Sequence, residues 1–505
     1  MKRSSIIILV FVLAKFFLQL AALLQPEYGL FRDELYYLAC AKHLAWGFVD
    51  QPPFSIAVLW AWVSIAGDSL VSLRVLAALI GTLPVAMAGL ITRQLGGEWK
   101  AQALACFAVL LAPIQIGISS FYSMNAIEYA LITVLVWLLL RIIIKQESSL
   151  WILFGVFLGV GIMNKHTFAV LAGFLVVGLL FTSSRKEFLK KQFWIGMGIA
   201  FLIVLPNLIW QISHSFLSLE FYENASKLKN VPTPPLKIVL EQLLSSNPIA
   251  GILWVTGLIW FLRGKERSEY RILGIAFLLM LVMMMIAQSN RADRIALYIP
   301  ALVAGGAVIW ERFSAKRFMN WLIPLTTVLL LIVGLVSMPI ALPVMSPSST
   351  AKYLQRIGMQ PSFEKGVTAK LPQNFADRFG WKELADSVAA VIQRLPERER
   401  HSFILAGQNY GDAGALEYYG RSLNFPQVIS GHNSYWLWGP GEQAEVLIMV
   451  GNSRSRMEEL FYDVQEGTRA STGWQMNYEC NRPIWICRKP KMSIAEIWPK
   501  AKMFI

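Results

Sequence analysis

The fold class predicted from the sequence is a polytopic α-helical membrane protein of about eleven transmembrane helices with a C-terminal α/β domain on its outer face. Three observations predict it. Of 505 residues, 55% are hydrophobic and 15% charged, a balance outside the range of ordinary soluble domains. Apolar runs recur through the first 340 residues, several of them about as long as a bilayer crossing. The basic residues behind the net charge of +14 fall in every second short loop between those runs, which is the signature of membrane topology. A nucleic-acid binder would gather them on one face or tail, so no nucleic-acid partner is expected.

The first run, 5–24, follows Lys2 and Arg3, exceeds a usual signal core and lacks an A-x-A cleavage site. It reads as a retained span that leaves 25–70 outside. Run 71–92 returns to Arg93 and Lys100, 101–113 goes out, and 125–140 comes back to Arg141 and Lys145. Run 150–163 goes out and 167–182 returns to Arg185, Lys186, Lys190 and Lys191. Then 193–210 goes out, 247–262 returns to Arg263, Lys265 and Arg267, and 272–287 goes out. Run 295–310 comes back to Arg312, Lys316 and Arg317, and 321–340 crosses last. Several runs fall short of the ~20 residues of a straight crossing, which leaves broken helices open. Segment 54–67 is also short and lies outside, as an interfacial or re-entrant helix. No repeat of fixed period is visible.

After Ile340 the stretch "LPVMSPSST" marks a linker. The expected division is a membrane domain over 1–342, including the first outer loop 25–70, and an outer α/β domain over 343–505. Within the latter, 377–395 has helical spacing, 402–406 and 446–450 read as buried strands, and 413–419 and 456–462 as helices. Cys480 and Cys487 flank "NRPIWI"; a bridge between them and two unpaired buried thiols are both open. The Cys and His residues show no metal-ligand spacing.

The chemistry concentrates in the outer loops. "FRDELYYLACAKHL" places Asp33 and Glu34 beside Arg32, just past the first span, in a long loop with Tyr36, Tyr37, Trp46 and Phe48 that ends in "DQPP". Acidic residues at a helix start complement its dipole, but an aromatic loop stiffened by two prolines has the character of a shaped site. "SSFYSMNAIEY" adds Asn125 and Glu128, "GIMNKHTF" adds Lys165 and His166, "QSNRADRIALYIP" adds Arg291, Asp293 and Arg294, and Arg74 opens the second span. Each cation alone is explained by snorkelling to headgroups. Together, on the side that the positive-inside rule disfavours, they point to an anionic ligand. Carboxylates and cations at one leaflet suit transfer of a sugar from a lipid phosphate, because fixed cations help most where charge develops on the leaving group.

These motifs, with "RADRIALYIPALVAGGAVIWE", resemble those of bacterial glycosyltransferase family 39. That family is related to the protein O-mannosyltransferases and the lipid A aminoarabinose transferase, all of the GT-C membrane fold. The tail stretches "LPQNFADRFGWKELADSV", "NYGDAGALEYYG" and "HNSYWLWGP" resemble one bacterial branch. The resemblance implies an inverting glycosyltransferase of the bacterial cytoplasmic membrane, its site facing outward, with Asp33 catalytic and Glu34 beside it. The implied donor is a polyprenyl-phosphate sugar, and the acceptor a glycan, lipid or protein of the cell envelope. Arg74, Glu128, Lys165, His166, Arg291 and Arg294 are the expected substrate-binding residues.

The chain departs from the pattern at three places. Gln51 stands where the aminoarabinose transferase has a lysine before the double proline. Asn125 replaces an Asp, leaving Glu128 as its substitute. Asp293 and Arg294 replace tyrosines. The donor is expected to be an undecaprenyl-phosphate sugar and not a nucleotide sugar, since neither a Gly-rich phosphate cradle nor a D-x-D metal site is seen; no cofactor is expected, and a divalent metal held between Asp33 and Glu128 stays open. The rival reading, a transporter or flippase of a lipid-linked glycan, expects ionisable residues in mid-span. Tyr435, Trp436 and Trp438 suit either stacking on sugar or core packing.

Overall fold

The computed structural model describes every residue except 1, 230–231, 265–267, 289–295, 360–368 and 443. The chain divides into two compact units. The first comprises Met1–Gln25, Val71–Trp210 and Asn230–Val344. It is helical because a backbone in lipid must satisfy its own hydrogen bonds. Among the described residues six helices are long and apolar enough to cross a membrane: Arg3–Leu24, Leu70–Gln94, Met124–Lys145, Lys191–Ser213, Ser268–Ile286 and Arg317–Ala341. Two helix pairs, Thr167–Leu180 with Ser183–Leu189 and Pro235–Ser245 with Pro248–Arg263, are bent by 109° and 110°, and raise the number to eight if each is one span. The other crossings read from the sequence fall on the shorter helices Trp99–Leu110, Leu150–Asn164 and Ile299–Ser314.

Glycine sets the closest helix contacts of this unit. A Cβ on Gly257 would overlap the Leu302 carbonyl oxygen, and one on Gly306 the Leu253 carbonyl oxygen, so Pro248–Arg263 and Ile299–Ser314 meet backbone to backbone. Gly155 and Gly196 do the same for Leu150–Asn164 and Lys191–Ser213. Close approach of small residues is how apolar helices gain contact where lipid tails are as apolar as leucine.

The second unit gathers Pro26–Leu70, Gln211–Lys229 and Met345–Ile505. The first outer loop, grouped with the membrane part in the sequence reading, thus lies in the same unit as the C-terminal segment. At its centre is a five-stranded sheet of β1 (Phe403–Gly407), β2 (Val428–Ile429), β3 (Val446–Val450), β4 (Phe461–Ala470) and β5 (Arg482–Pro490), in the order β2-β1-β3-β5-β4. β1 is parallel to β2 and β3, and β5 is antiparallel to β3 and β4. Alternation along the strands sends Ala406 and Met449 to one core with Met457 and Phe461.

Two details differ from the sequence reading. The helix expected over 456–462 runs Arg454–Leu460 and gives way to β4 at Phe461. β4 is an edge strand, largely exposed and bulged between Glu466 and Thr468, so it lacks the apolar alternation that marks a strand. The helical pattern expected from 377 begins at Trp381, because Gly380 is left-handed (φ 88°) and separates it from the turn Gln373–Ala376.

Candidate active site

In the second unit, Arg32–Lys42 forms a helix packed on Tyr410–Tyr419. The two acids of its first turn are placed differently. Glu34 is fully buried and accepts a hydrogen bond from the Phe31 backbone N–H at 2.8 Å, capping its own helix. The Asp33 side chain stays 32% exposed, and its Oδ1 accepts from the Tyr410 hydroxyl at 2.9 Å. Arg32 turns mainly to other carboxylates: Glu479 at 3.3 Å and Asp377 at 3.6 Å, with Asp33 at 3.8 Å. Burial pushes the Asp377 carboxyl up despite the pull of Arg32.

The rest of the loop is tied to the stretch "HNSYWLWGP". Tyr36 donates to Asp50 at 2.8 Å and accepts from the Ser434 N–H at 3.2 Å. Burial pushes the Asp50 carboxyl up to about 6, with the Tyr36 hydrogen bond opposing. Tyr435 is buried, Trp436 donates to the Trp498 carbonyl at 3.1 Å, and Trp438 stacks on His43 with ring centroids 4.2 Å apart. Gln51 is fully buried, and neither polar atom of its amide has a hydrogen-bond partner among the described residues.

In the first unit, Lys165 pairs with Glu128 at 2.8 Å and donates to Asn125 at 2.7 Å, while Thr167 donates to the other Glu128 oxygen at 2.9 Å. Asn164 donates to the Met124 carbonyl at 2.9 Å. The turn 164–167 is thereby fastened to the start of Met124–Lys145, whose N-cap is Ser123. Asn125 and Glu128, read from separate motifs, thus share one lysine. His166 Nε2 lies 3.0 Å from Asn207 Oδ1, and Arg74 is buried one turn into Leu70–Gln94. Arg291, Arg294 and Asp293 lie outside the described residues. Among the described residues no group of three or more His, Cys, Asp or Glu is placed to hold a metal ion, and all four cysteines are free.

The sequence reading passed over two groups. Lys15 is fully buried in Arg3–Leu24 and donates to the Gln115 backbone carbonyl at 3.3 Å, beside Gln19, which donates to the Ile116 carbonyl at 3.1 Å. A lysine inside an apolar run was signal enough to find it. Tyr410 lies 377 positions from Asp33, and no local pattern links the two.

Residues 50–210 match the family model described as dolichyl-phosphate-mannose-protein mannosyltransferase. The lipopolysaccharide core galacturonosyltransferases RgtB and RgtA of Rhizobium johnstonii are 26% identical over 208 residues and 23% identical over 200. Each alignment covers 39% of this chain and 40% of the relative, so the chain spans about two fifths of the length of the curated relatives it matches. Two crystal structures of ArnT from Cupriavidus metallidurans match along nearly all of it. The apo form has a TM-score of 0.62 and the form bound to undecaprenyl phosphate 0.61, both at 14% identity, covering 95% of this chain and 97% of ArnT. The chain therefore has the fold of ArnT, the GT-C glycosyltransferase fold, and carries within it a segment that matches the mannosyltransferase family model.

Proposed function

We propose that this chain is an inverting glycosyltransferase that moves a sugar from a polyprenyl phosphate to a hydroxyl of a cell-envelope glycan, lipid or protein, at the outer leaflet of the bacterial cytoplasmic membrane. The observation that carries the proposal is the Asp33 carboxylate. Of the five first-loop acids, Glu34 is spent on its helix end, Asp50 is held by Tyr36, Asp68 is paired with Arg421 at 2.5 Å and Glu27 is exposed, whereas Asp33 is part-exposed and oriented by a phenol. The match to a mannosyltransferase family model and the shared fold with an ArnT that binds undecaprenyl phosphate support it.

In this reading the acceptor oxygen attacks the anomeric carbon and Asp33 takes its proton. The bond from that carbon to the phosphate oxygen breaks, and polyprenyl phosphate departs with the electron pair. Arg74, Lys165, His166, Arg291 and Arg294 are assigned to the donor, with Glu128 fixing the position of Lys165. Glu34 is assigned to holding the turn that presents Asp33.

The test is transfer in proteoliposomes from a polyprenyl-phosphate sugar. A general base contributes about 10²–10⁴-fold, so Asp33→Asn should lose that much turnover while still binding the donor. A correctly inserted Asp33→Asn protein as active as wild type would remove Asp33 as the base. Transfer from a nucleotide sugar with the lipid carrier depleted would remove the proposed donor. Lys15, an ionisable group inside an apolar helix, is what favours the alternative of a lipid-linked glycan transporter or flippase. That alternative predicts glycan translocation across sealed vesicles with no glycosidic product.

A further inference from the structure

The sheet of the second unit has a feature that the proposed reaction does not use. From β1 the chain leaves toward β2 at one edge of the sheet, and from β3, the parallel neighbour of β1, it leaves toward β4 at the other edge. Connections that diverge in this way leave a crevice at the carboxyl ends of parallel strands, the usual place for a ligand in an open α/β sheet. A cavity of about 350 Å³ lies there, lined by Gly407 at the end of β1 and by Gln408, Ser430, Gly431 and Asn452 just beyond β1, β2 and β3. Its volume is in the range of small-molecule sites.

The cavity exists because this face is thinly covered. Its cover over the sheet is the seven-residue helix Arg454–Leu460, the single turns Ile494–Ile497 and Trp498–Ala501, and Lys502 and Met503 after them. The cover is nonetheless fixed. Asn433 N–H donates to the Met503 carbonyl at 2.9 Å and Met503 N–H to the Gly431 carbonyl at 2.8 Å. Trp436 and Trp498 each donate an indole N–H to the other's carbonyl at 3.1 Å. His432, which anchors the same segment by a 2.7 Å contact to the Ile505 carbonyl, is held down to about 3 by burial.

The lining is two-sided in chemistry. The walls are apolar, with Leu447, Met449, Met457, Phe461, Ile497 and Trp498 among them. The charged residues that line it are Arg456, Lys500 and Lys502, and none of the lining residues is an Asp or Glu. Carboxylates set back from the lining hold two of these cations, Glu459 for Arg456 at 2.7 Å and Glu220 for Lys502 at 2.8 Å, and Glu496 neighbours Lys500. The apolar walls suit a hydrocarbon chain, and the cations among the lining residues suit an anionic head. We infer that it binds an amphiphile with a single apolar chain and an anionic head, phosphate or carboxylate, the chain against the sheet and the head among Arg456 and Lys500.

The full chain in nanodiscs, photolabelled with a diazirine-bearing monododecyl phosphate and mapped by peptide mass spectrometry, tests this. Label should appear on 454–461 or 494–503. Unlabelled dodecyl phosphate or dodecanoate should compete with it, and the stronger competitor identifies the head. Met449→Trp should cut that labelling at least tenfold with the circular dichroism unchanged; Leu447→Phe serves if the larger side chain prevents folding. Arg456→Ala with Lys500→Ala should weaken dodecyl phosphate severalfold and leave dodecanol unaffected. The inference is overturned if label falls only on the apolar helices of the first unit, if dodecanol competes as well as dodecyl phosphate, if inorganic phosphate displaces the probe, or if the filled cavity labels like wild type.

Discussion

Asp33 and Glu34 are neighbours in sequence with different surroundings. In a helix, adjacent side chains point about 100° apart, so one can reach back to the helix start while the other faces away. Tyr410 is the residue that makes Asp33 more than a surface acid. Its ring is confined by Tyr36 and His432, each 4.8 Å away between centroids, so the hydroxyl is delivered in a fixed position. Tyr410→Phe keeps the ring and removes one hydrogen bond to a charged group, worth about 1.5–3 kcal/mol. We expect kcat to fall about tenfold or more at unchanged KM, with a loss of thermal stability no larger than that one bond accounts for. A loss of stability with kcat unchanged would assign Tyr410 to packing alone. The acid pair itself was legible in the sequence because a charged, aromatic loop after an apolar span stands out. Tyr410, Asp377 and Glu479 were not, since what joins them to Arg32 and Asp33 is tertiary folding across more than 340 positions.

At the scale of elements, the turn 164–167 and the start of Met124–Lys145 are joined by one ion pair and three further hydrogen bonds. Glu128 and Lys165 are both buried. Removing one member of a buried pair leaves an uncompensated charge at a cost of about 3–5 kcal/mol, whereas replacing both by apolar groups can be neutral. Lys165→Met and Glu128→Leu should therefore each lower the melting temperature in detergent, and the double variant, apolar at both positions, should recover a large part of the loss. Transfer should stay low in all three if Lys165 serves the donor. Full transfer in a stable double variant would make the pair purely architectural. The two motifs were readable as polar groups at helix ends, but their convergence on one lysine was not, because spacing says nothing about which helices are neighbours. The apolar helices were legible for the opposite reason: their composition alone forces the conformation. β4 escaped because an exposed, bulged edge strand buries too little to impose alternation.

For the whole molecule, the proposed reaction has a topological requirement. A polyprenyl-phosphate donor used at the outer leaflet requires the first outer loop and the C-terminal segment to face outward, and the basic loop at 183–191 to face the cytoplasm. Glu34, the natural choice for a reporter in the acid pair, is fully buried and would not react. Trp46, in the same loop, is 61% exposed, and Lys186 is exposed at the other proposed face. Of the native thiols Cys40, Cys106 and Cys487 are buried and Cys480 is partly accessible, so a Cys480→Ser background leaves a clean signal. In right-side-out membranes a charged maleimide should modify Trp46→Cys at once and Lys186→Cys only after permeabilisation. Equal labelling of both before permeabilisation would place the acid loop and the basic loop on one side. Asp33 could not then meet an outer-leaflet donor, and both the topology read from the Lys and Arg pattern and the proposed site of transfer would be refuted together.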